Sequence, residues 1–199
     1  MKKSLLLTVL SFLGFASFAQ IEKKNLLLGG SFGIGSNTST QQFSSSSNSN
    51  IQPYIQFAYN KNRTIGFGLD FSFYSNKSNE GENKQEYFGL APHVSISQFH
   101  PIKGNFGWML QEYAGASFQS SASRNGTDTV KTNGTAVFAG ITPGLYYAVG
   151  ERKNWLLQVN VGNLGGSYYK QSNADYSTWS FNTNLFQSYR FGFAYIFRK

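Results

Sequence analysis

The chain of 199 residues has no cysteine, few charged residues and, after residue 20, no long apolar run. Without cysteine there can be no disulfide, no thiol nucleophile and no cysteine-bound metal. Only 13% of the residues are charged, whereas about a quarter is usual in a soluble domain. A membrane helix needs roughly 20 apolar residues. If the mature chain crosses a membrane, it must therefore cross with strands.

The first 19 residues are typical of a secretory signal peptide. Two lysines precede an apolar run over 5–15, and residues 17–19, Ser-Phe-Ala, offer small side chains at a cleavage site. Such a segment is too short for a spanning helix and is removed from the mature protein. The sequence therefore predicts export, with a signal peptide at 1–19 and one domain at 20–199.

What the chain does contain is a repeated alternation of apolar and small polar residues. The clearest example is 64–74, TIGFGLDFSFY, in which every second residue from Ile65 to Phe73 is apolar. Period two predicts a strand with one apolar and one polar face. The pattern recurs in eight segments, most near or above the 9–11 residues of a tilted membrane strand: 25–35, 51–59, 64–74, 86–98, 105–118, 135–149, 155–165 and 181–197.

The connections between these segments alternate in length. Three are short and charged, and four are long and polar. Short turns at one end and long loops at the other are typical of outer-membrane barrels. The sequence therefore predicts an all-β, eight-stranded antiparallel up-and-down transmembrane β-barrel. The short turns are 60–63, 100–104 and 150–154, and the long loops are 36–49, 75–85, 119–133 and 166–180.

The composition of the two faces predicts which one looks outward. A soluble ligand-binding cup of the lipocalin type would need a charged exterior. Here the polar face is mostly Gly, Ser, Ala, Asn and Gln, which suits the narrow inside of an eight-stranded barrel, and the bulky face suits lipid. Two of the positive charges in the formal net charge of +8 belong to Lys2 and Lys3 of the signal peptide, and the positive excess of the mature chain gathers towards the short turns. It forms no basic, aromatic-lined groove, so we expect no nucleic-acid partner.

The last predicted strand carries a specific motif. Arg190, Gly192, Tyr195 and Phe197 follow the order polar-x-Gly-x-x-aromatic-x-aromatic, which resembles the C-terminal assembly signal of outer-membrane barrels. The whole mature chain resembles the small eight-stranded outer-membrane β-barrel family, the OmpA/OmpX type. The resemblance implies the outer membrane of a Gram-negative-type cell as location, outer-membrane lipids and the barrel-assembly machinery as partners, and no cofactor.

One group of residues resembles a catalytic site. His93 and Ser95 form a His-x-Ser pair on the fourth strand and Glu112 lies on the fifth, as in barrel enzymes that deacylate lipid A by nucleophile, base and orienting carboxylate. By the alternation, however, His93 and Ser95 face the lumen, whereas a lipid substrate requires the outward face. We therefore expect no catalytic residue. Two isolated histidines also make no metal site.

Four ionisable residues stand near mid-height of the predicted strands: Asp70, His93, Glu112 and Arg190. Three of them face inward by alternation, but Glu112 shares its phase with Phe106 and would face lipid. Because a carboxylate in lipid is unfavourable, we expect a β-bulge near 110–112 that turns Glu112 inward. The prediction is a closed polar plug in which Arg190 bridges Asp70 and Glu112, with His93 beside them.

These observations give one functional expectation and two alternatives. We expect a non-enzymatic outer-membrane barrel with a structural or surface-interaction role, whose long loops meet an extracellular partner. The alternatives are an enzyme that modifies lipid A and a narrow channel for small solutes.

Overall fold

The structure is a computed structural model that describes residues 21–39, 44–78, 83–126, 128–150, 152–172, 176–183, 185 and 189–198. The predicted signal peptide lies outside these residues. Within them, no helix is long and apolar enough to cross a membrane.

All the regular structure in these residues is antiparallel strand. Two glycines between strands have positive φ, +60° at Gly104 and +89° at Gly162. A residue with a Cβ rarely adopts this conformation. The ten strands are β1 (Leu26–Ser39), β2 (Ser44–Asn60), β3 (Arg63–Ser78), β4 (Asn83–Lys103), β5 (Phe106–Asn125), β6 (Asp128–Val149), β7 (Trp155–Val161), β8 (Leu164–Gln171), β9 (Ser177–Thr183) and β10 (Tyr189–Phe197).

Eight of these strands close into a ring. Strands β1 to β6 each pair with the next along the chain, and β10 pairs with both β7 and β1. The predicted eight-stranded barrel is therefore confirmed. Strands β8 and β9 form a hairpin that extends beyond β7 and β10, away from the short turns. Strand β8 pairs with the part of β6 that is farther from the short turns. Among the described residues, β9 pairs with no strand on its other side.

The predicted long loops are wrong, because most of their residues are strand. The β4–β5 ladder continues to the pair Asn83 and Asn125, and the β5–β6 ladder to Asn125 and Asp128. These Ser-, Thr- and Asn-rich segments lack the apolar alternation that predicts a strand, but backbone pairing extends an existing hairpin without it. The predicted turn at 100–104 is also too long, since β4 runs to Lys103.

The exterior carries a broad apolar belt. Outward side chains such as Leu28, Ile55, Phe67 and Phe193 are each about half exposed, which confirms that the bulky face looks outward. The belt begins near the short turns with Trp108, Tyr147 and Trp155 and ends near Phe73, Phe88 and Phe118. Beyond it, the same faces of β3, β4 and β5 carry Lys77, Lys84, Glu86 and Arg124. The paired hairpins therefore project past the belt.

Candidate functional site

The interior of the barrel is arranged in layers, and the layer nearest the short turns is apolar. Leu27 and Ala148 have no exposed surface, and Leu156 has 1%. Phe99 and Tyr146 cross this layer with their rings edge to face, 5.5 Å apart. These side chains pack closely across the lumen. The apolar floor, as we call it, consists of Ile21, Leu27, Ala58, Phe99, Met109, Tyr146, Ala148, Leu156, Ala194 and Ile196; Tyr54 belongs to the same buried cluster but lies above Gln56 on β2.

The next layer is organised by Gln56. Its amide nitrogen donates to Ser97 Oγ at 3.0 Å and to Ser95 Oγ at 3.4 Å, and its Oε1 accepts from Thr64 Oγ1 at 3.0 Å. All four side chains are buried. One amide thus satisfies three hydroxyl groups, as a buried polar layer requires.

Above it lies a second layer, organised by Gln52 and Arg190. Arg190 Nη1 donates to Gln52 Oε1 at 2.6 Å, and Arg190 Nη2 lies 3.4 Å from Asp70 Oδ2. Gln52 Oε1 also accepts from Ser31 Oγ at 3.0 Å, while Gln52 Nε2 lies 2.9 Å from His93 Nε2. We call Gln52, Asp70, His93 and Arg190 the Gln52 layer. The structure thus brings together three of the four predicted interior residues.

The contacts of His93 define its tautomer. Its Nδ1 lies 3.2 Å from the carbonyl oxygen of Ala91, which can only accept, so Nδ1 donates. Nε2 then accepts from the Gln52 amide. Gly68, its cross-strand neighbour, leaves room for the ring, since a Cβ at that position would lie 2.5 Å from His93 Nε2. The imidazole is therefore held in the interior by its hydrogen bonds to Ala91 and Gln52 and by its close packing against Gly68.

Beyond the Gln52 layer the lumen opens into a cavity of about 980 Å³. Tyrosine rings and amide or hydroxyl side chains line it, including Tyr87, Tyr113, Gln119, Ser117 and Asn50. Asp70 and Arg190 lie at its base with 21% and 31% of their side-chain surface exposed. Side chains therefore fill the lumen near the short turns, and the cavity lies towards the hairpins.

Glu112 does not belong to this interior. The β4–β5 and β5–β6 registers run without a shift through Glu112, which pairs with Ile96 and Ile141. The predicted bulge at 110–112 is therefore wrong, and so is the inward position of Glu112. Its neighbour Gln111 is the buried residue, while Glu112 is exposed on the outer face. Glu112 Oε1 accepts there from Gln98 Nε2 at 3.4 Å.

The residues that resemble a deacylase site are separated by the barrel wall. His93 and Ser95 are buried in the lumen, with 4% and 3% of their surface exposed, and bond to Gln52 and Gln56. Glu112 lies on the opposite side of the sheet. These three side chains therefore form no nucleophile–base–carboxylate chain.

The residues of the predicted assembly motif all lie on β10. Arg190 and Gly192 share the inward face with Ala194, whereas Tyr195 and Phe197 belong to the outer aromatic set. The Tyr195 ring lies 5.0 Å from that of Trp155 and 4.8 Å from that of Phe197. Phe197 pairs with Leu26, where β10 closes the ring against β1. The motif thus occupies the seam of the barrel.

Sequence reasoning missed Gln52, which has the most partners in its layer. The predicted interior network included only ionisable residues, so it did not include Gln52. The signal was present, because Gln52, Tyr54 and Gln56 alternate on the polar face of the second strand. A run of amides on a lumen face predicts interior hydrogen bonding as well as a charge does.

No protein-family model and no curated protein matches the chain. It is similar to the crystal structure of Neisserial surface protein A (NspA), with a TM-score of 0.48 and 15% identity, over 87% of this chain and 97% of that one. It is also similar to the translocator domain of the autotransporter NalP from Neisseria meningitidis, with a TM-score of 0.35 and 12% identity, over 99% of this chain and 95% of that one. The barrel assignment does not depend on these likenesses, because the ring of strands closes within this chain.

Proposed function

We propose that the chain is a non-enzymatic integral barrel of the outer membrane that displays its hairpins on the cell surface for interaction with an extracellular partner. The apolar belt supports the membrane position, since a belt of exposed Phe, Leu and Ile requires lipid around it. The low charge content and the resemblance of β10 to an assembly signal support the outer membrane in particular.

The observation that carries the surface role is the contrast between a packed apolar floor and long projecting hairpins. The apolar floor and the Gln52 layer support a barrel without a path for solutes. Above the belt, β4, β5 and β6 continue as a paired sheet up to Asn83, Asn125 and Asp128. Paired strands hold a surface more rigidly than loops do, so this sheet suits recognition of a partner.

Two measurements on one refolded preparation and one on whole cells test this proposal. We expect no steady ion conductance in a planar bilayer and no change in the mass of lipid A after incubation. We also expect that cells displaying the protein lose attachment to a host-cell or matrix surface when the β5–β6 hairpin is shortened beyond Phe118 and Thr135. Stable conductance would favour a channel. Loss of an acyl chain from lipid A that occurs with the wild-type protein and not with Ser95→Ala would favour the enzyme.

The partnership with the barrel-assembly machinery has its own test. Tyr195→Ala combined with Phe197→Ala removes both aromatic residues of the motif while leaving the inward face of β10 unchanged. We expect this variant to remain in the periplasm. The matched control is Phe67→Ala combined with Phe73→Ala on β3, which leaves the motif intact. Normal heat-modifiable migration and normal membrane yield of the β10 variant would contradict the assignment.

A further inference from the structure

The outer face of β4 and β5 differs from the rest of the apolar belt. Glu112 stands there between Ile96 and Ile141, its cross-strand neighbours on either side. Gln98 Nε2, at 3.4 Å from Glu112 Oε1, is its hydrogen-bond donor. On the opposite side of the ring, the outward positions of β1 that begin with Leu26 and Leu28 carry no charge and no amide up to Ile34.

The depth of Glu112 makes this pair unusual. Glu112 lies four residues above Trp108 and six below Phe118 on the same face of β5. A tilted strand rises by about 2.5 Å per residue, so Glu112 stands about 10 Å above the lower aromatic residues and about 15 Å below the upper one. That position is within the hydrocarbon, where a carboxyl group requires a polar partner. A single long hydrogen bond satisfies it only in part.

A groove of about 570 Å³ lies beside Glu112 on the same outer surface. Its base is made of small residues, Ala114, Ala139 and Gly140, and its sides include Val94 and Phe181. A barrel is convex and touches a second cylinder along a narrow line. Small residues let two backbones approach closely in a membrane, so the groove widens the contact that this face can make.

We propose that the β4–β5 face is the interface of a symmetric dimer, occupied by a second copy of this chain. This inference rests on the membrane position proposed above. Two copies inserted in the same direction are related by a two-fold axis along the bilayer normal, so residues of equal depth meet. The axis places β4 of one copy against β5 of the other.

The pair of Gln98 and Glu112 is self-complementary about such an axis. Gln98 pairs with Leu110, which precedes Glu112 by two residues on the same face of β5, so Gln98 and Glu112 are diagonal neighbours. Their long side chains bridge a step of about 5 Å along the strand axis. The amide of Gln98 in each copy then donates to the Glu112 carboxyl of the other. Two interchain hydrogen bonds form away from lipid. An acyl chain filling the groove would offer the carboxyl no donor, which is why a second copy fits the site better.

The absence of cysteine from the chain allows a direct test. Ala114→Cys places a unique thiol on the proposed interface, and Leu28→Cys places one on the opposite strand of the ring. Both full-length proteins are inserted into lipid vesicles, and their folding is verified by heat-modifiable migration. We expect a short bis-maleimide to cross-link Ala114→Cys into dimers and to leave Leu28→Cys monomeric. Equal cross-linking of the two variants, or none in either while both are folded, would overturn the proposal.

Two substitutions of Glu112 in the Ala114→Cys background test the hydrogen bonds. Glu112→Leu removes both interchain bonds, and we expect the dimer dissociation constant in vesicles to rise about tenfold. Glu112→Gln keeps a side-chain oxygen that accepts from Gln98, and we expect dimerisation within about threefold of the Ala114→Cys parent. The proposal is wrong if Glu112→Leu dimerises as well as the parent. It is also wrong if native mass spectrometry finds a monomer with one bound lipid that Ala114→Phe displaces. In both cases the surface role proposed above could still hold.

Discussion

Two carboxylates on neighbouring parts of the barrel wall, Asp70 and Glu112, lie in different surroundings. Asp70 faces the lumen, where Arg190 lies 3.4 Å away and the side chain keeps 21% of its surface exposed. Glu112 faces outward between two isoleucines, with the Gln98 amide at 3.4 Å. One carboxylate has a charged partner and access to a hollow lumen, and the other has a neutral partner in an apolar belt.

The difference shows that the side of the sheet decides the role of a charge in a membrane barrel. Along β3 and β5 the alternation is unbroken, so a residue's phase fixes its side. A charge inside can be compensated by an opposite charge of the same chain, as Arg190 does for Asp70, although Asp70 Oδ1 is buried without a hydrogen-bond partner among the described residues. A charge outside can be satisfied fully only by another molecule. Substitutions at the two sites should therefore change stability in opposite directions.

The largest effect is expected for Arg190→Ala, which leaves Asp70 without its ion-pair partner and Gln52 without its shortest hydrogen bond. Loss of one partner of a fully buried pair costs about 3–5 kcal/mol. Because the cavity side of this pair is open, we expect the free energy of unfolding to fall by about 2–3 kcal/mol. Urea unfolding in vesicles, followed by tryptophan fluorescence, measures it.

A double variant serves as the control for Arg190. Asp70→Asn together with Arg190→Met removes both charges and keeps most of the side-chain volume. We expect it to be more stable than Arg190→Ala, because no unpaired charge remains at the base of the cavity. If the single and double variants unfold at the same urea concentration as wild type, the Gln52 layer contributes nothing to the stability of the lumen side.

The second effect concerns the packing of the same layer. Gly68→Val places a side chain where a Cβ alone would lie 2.5 Å from His93 Nε2, so the imidazole must move away from Gln52. Overpacking of this kind costs about 1–3 kcal/mol. Gly166→Val, on β8, is the matched control, since the nearest atom to its added Cβ lies 3.7 Å away. Equal urea midpoints for the two variants would rule out a tight fit around His93.

The sequence predicted the barrel well because the alternation that specifies a strand also specifies its side. The apolar segments around Ile65, Val94 and Phe193 therefore lie outward as expected. The extent of the strands was not predictable in the same way. Ser44–Asn50 has no apolar face, and its pairing with β1 and β3 makes it strand. The assumed bulge at Glu112 failed for a related reason. The bulge was expected because a carboxylate in lipid is unfavourable, although the apolar alternation of β5 is unbroken. The strand keeps its register, and the Glu112 carboxyl faces outward.

The third and smaller effect is a gain in stability, expected from a substitution on the outer face of the barrel. Under strong dilution in lipid, where the barrel is a monomer, Glu112→Leu replaces a poorly satisfied carboxyl by an apolar side chain. We expect the free energy of unfolding to rise by about 1 kcal/mol, less than the 2–4 kcal/mol found for basic residues at the midplane of barrels. Urea unfolding at a high lipid-to-protein ratio measures this gain. A loss of stability in Glu112→Leu would mean that the Gln98 bond satisfies the carboxyl within one chain.

The smallest effect is expected where a carboxylate meets water. Glu86 lies above the belt, and its Oε1 is 2.6 Å from Lys84 Nζ, closer than Asp70 is to Arg190. Distance alone would rank this ion pair as the stronger. Water and salt screen it, however, because 37% and 57% of the two side chains are exposed, and such pairs contribute about 0–1 kcal/mol. We therefore expect Glu86→Gln to change the free energy of unfolding by less than about 0.5 kcal/mol, and added salt to abolish the change. A loss as large as that of Arg190→Ala would show that water screens charges on the hairpin extensions no better than it does in the lumen, and that position relative to the belt does not govern the contribution of a charge.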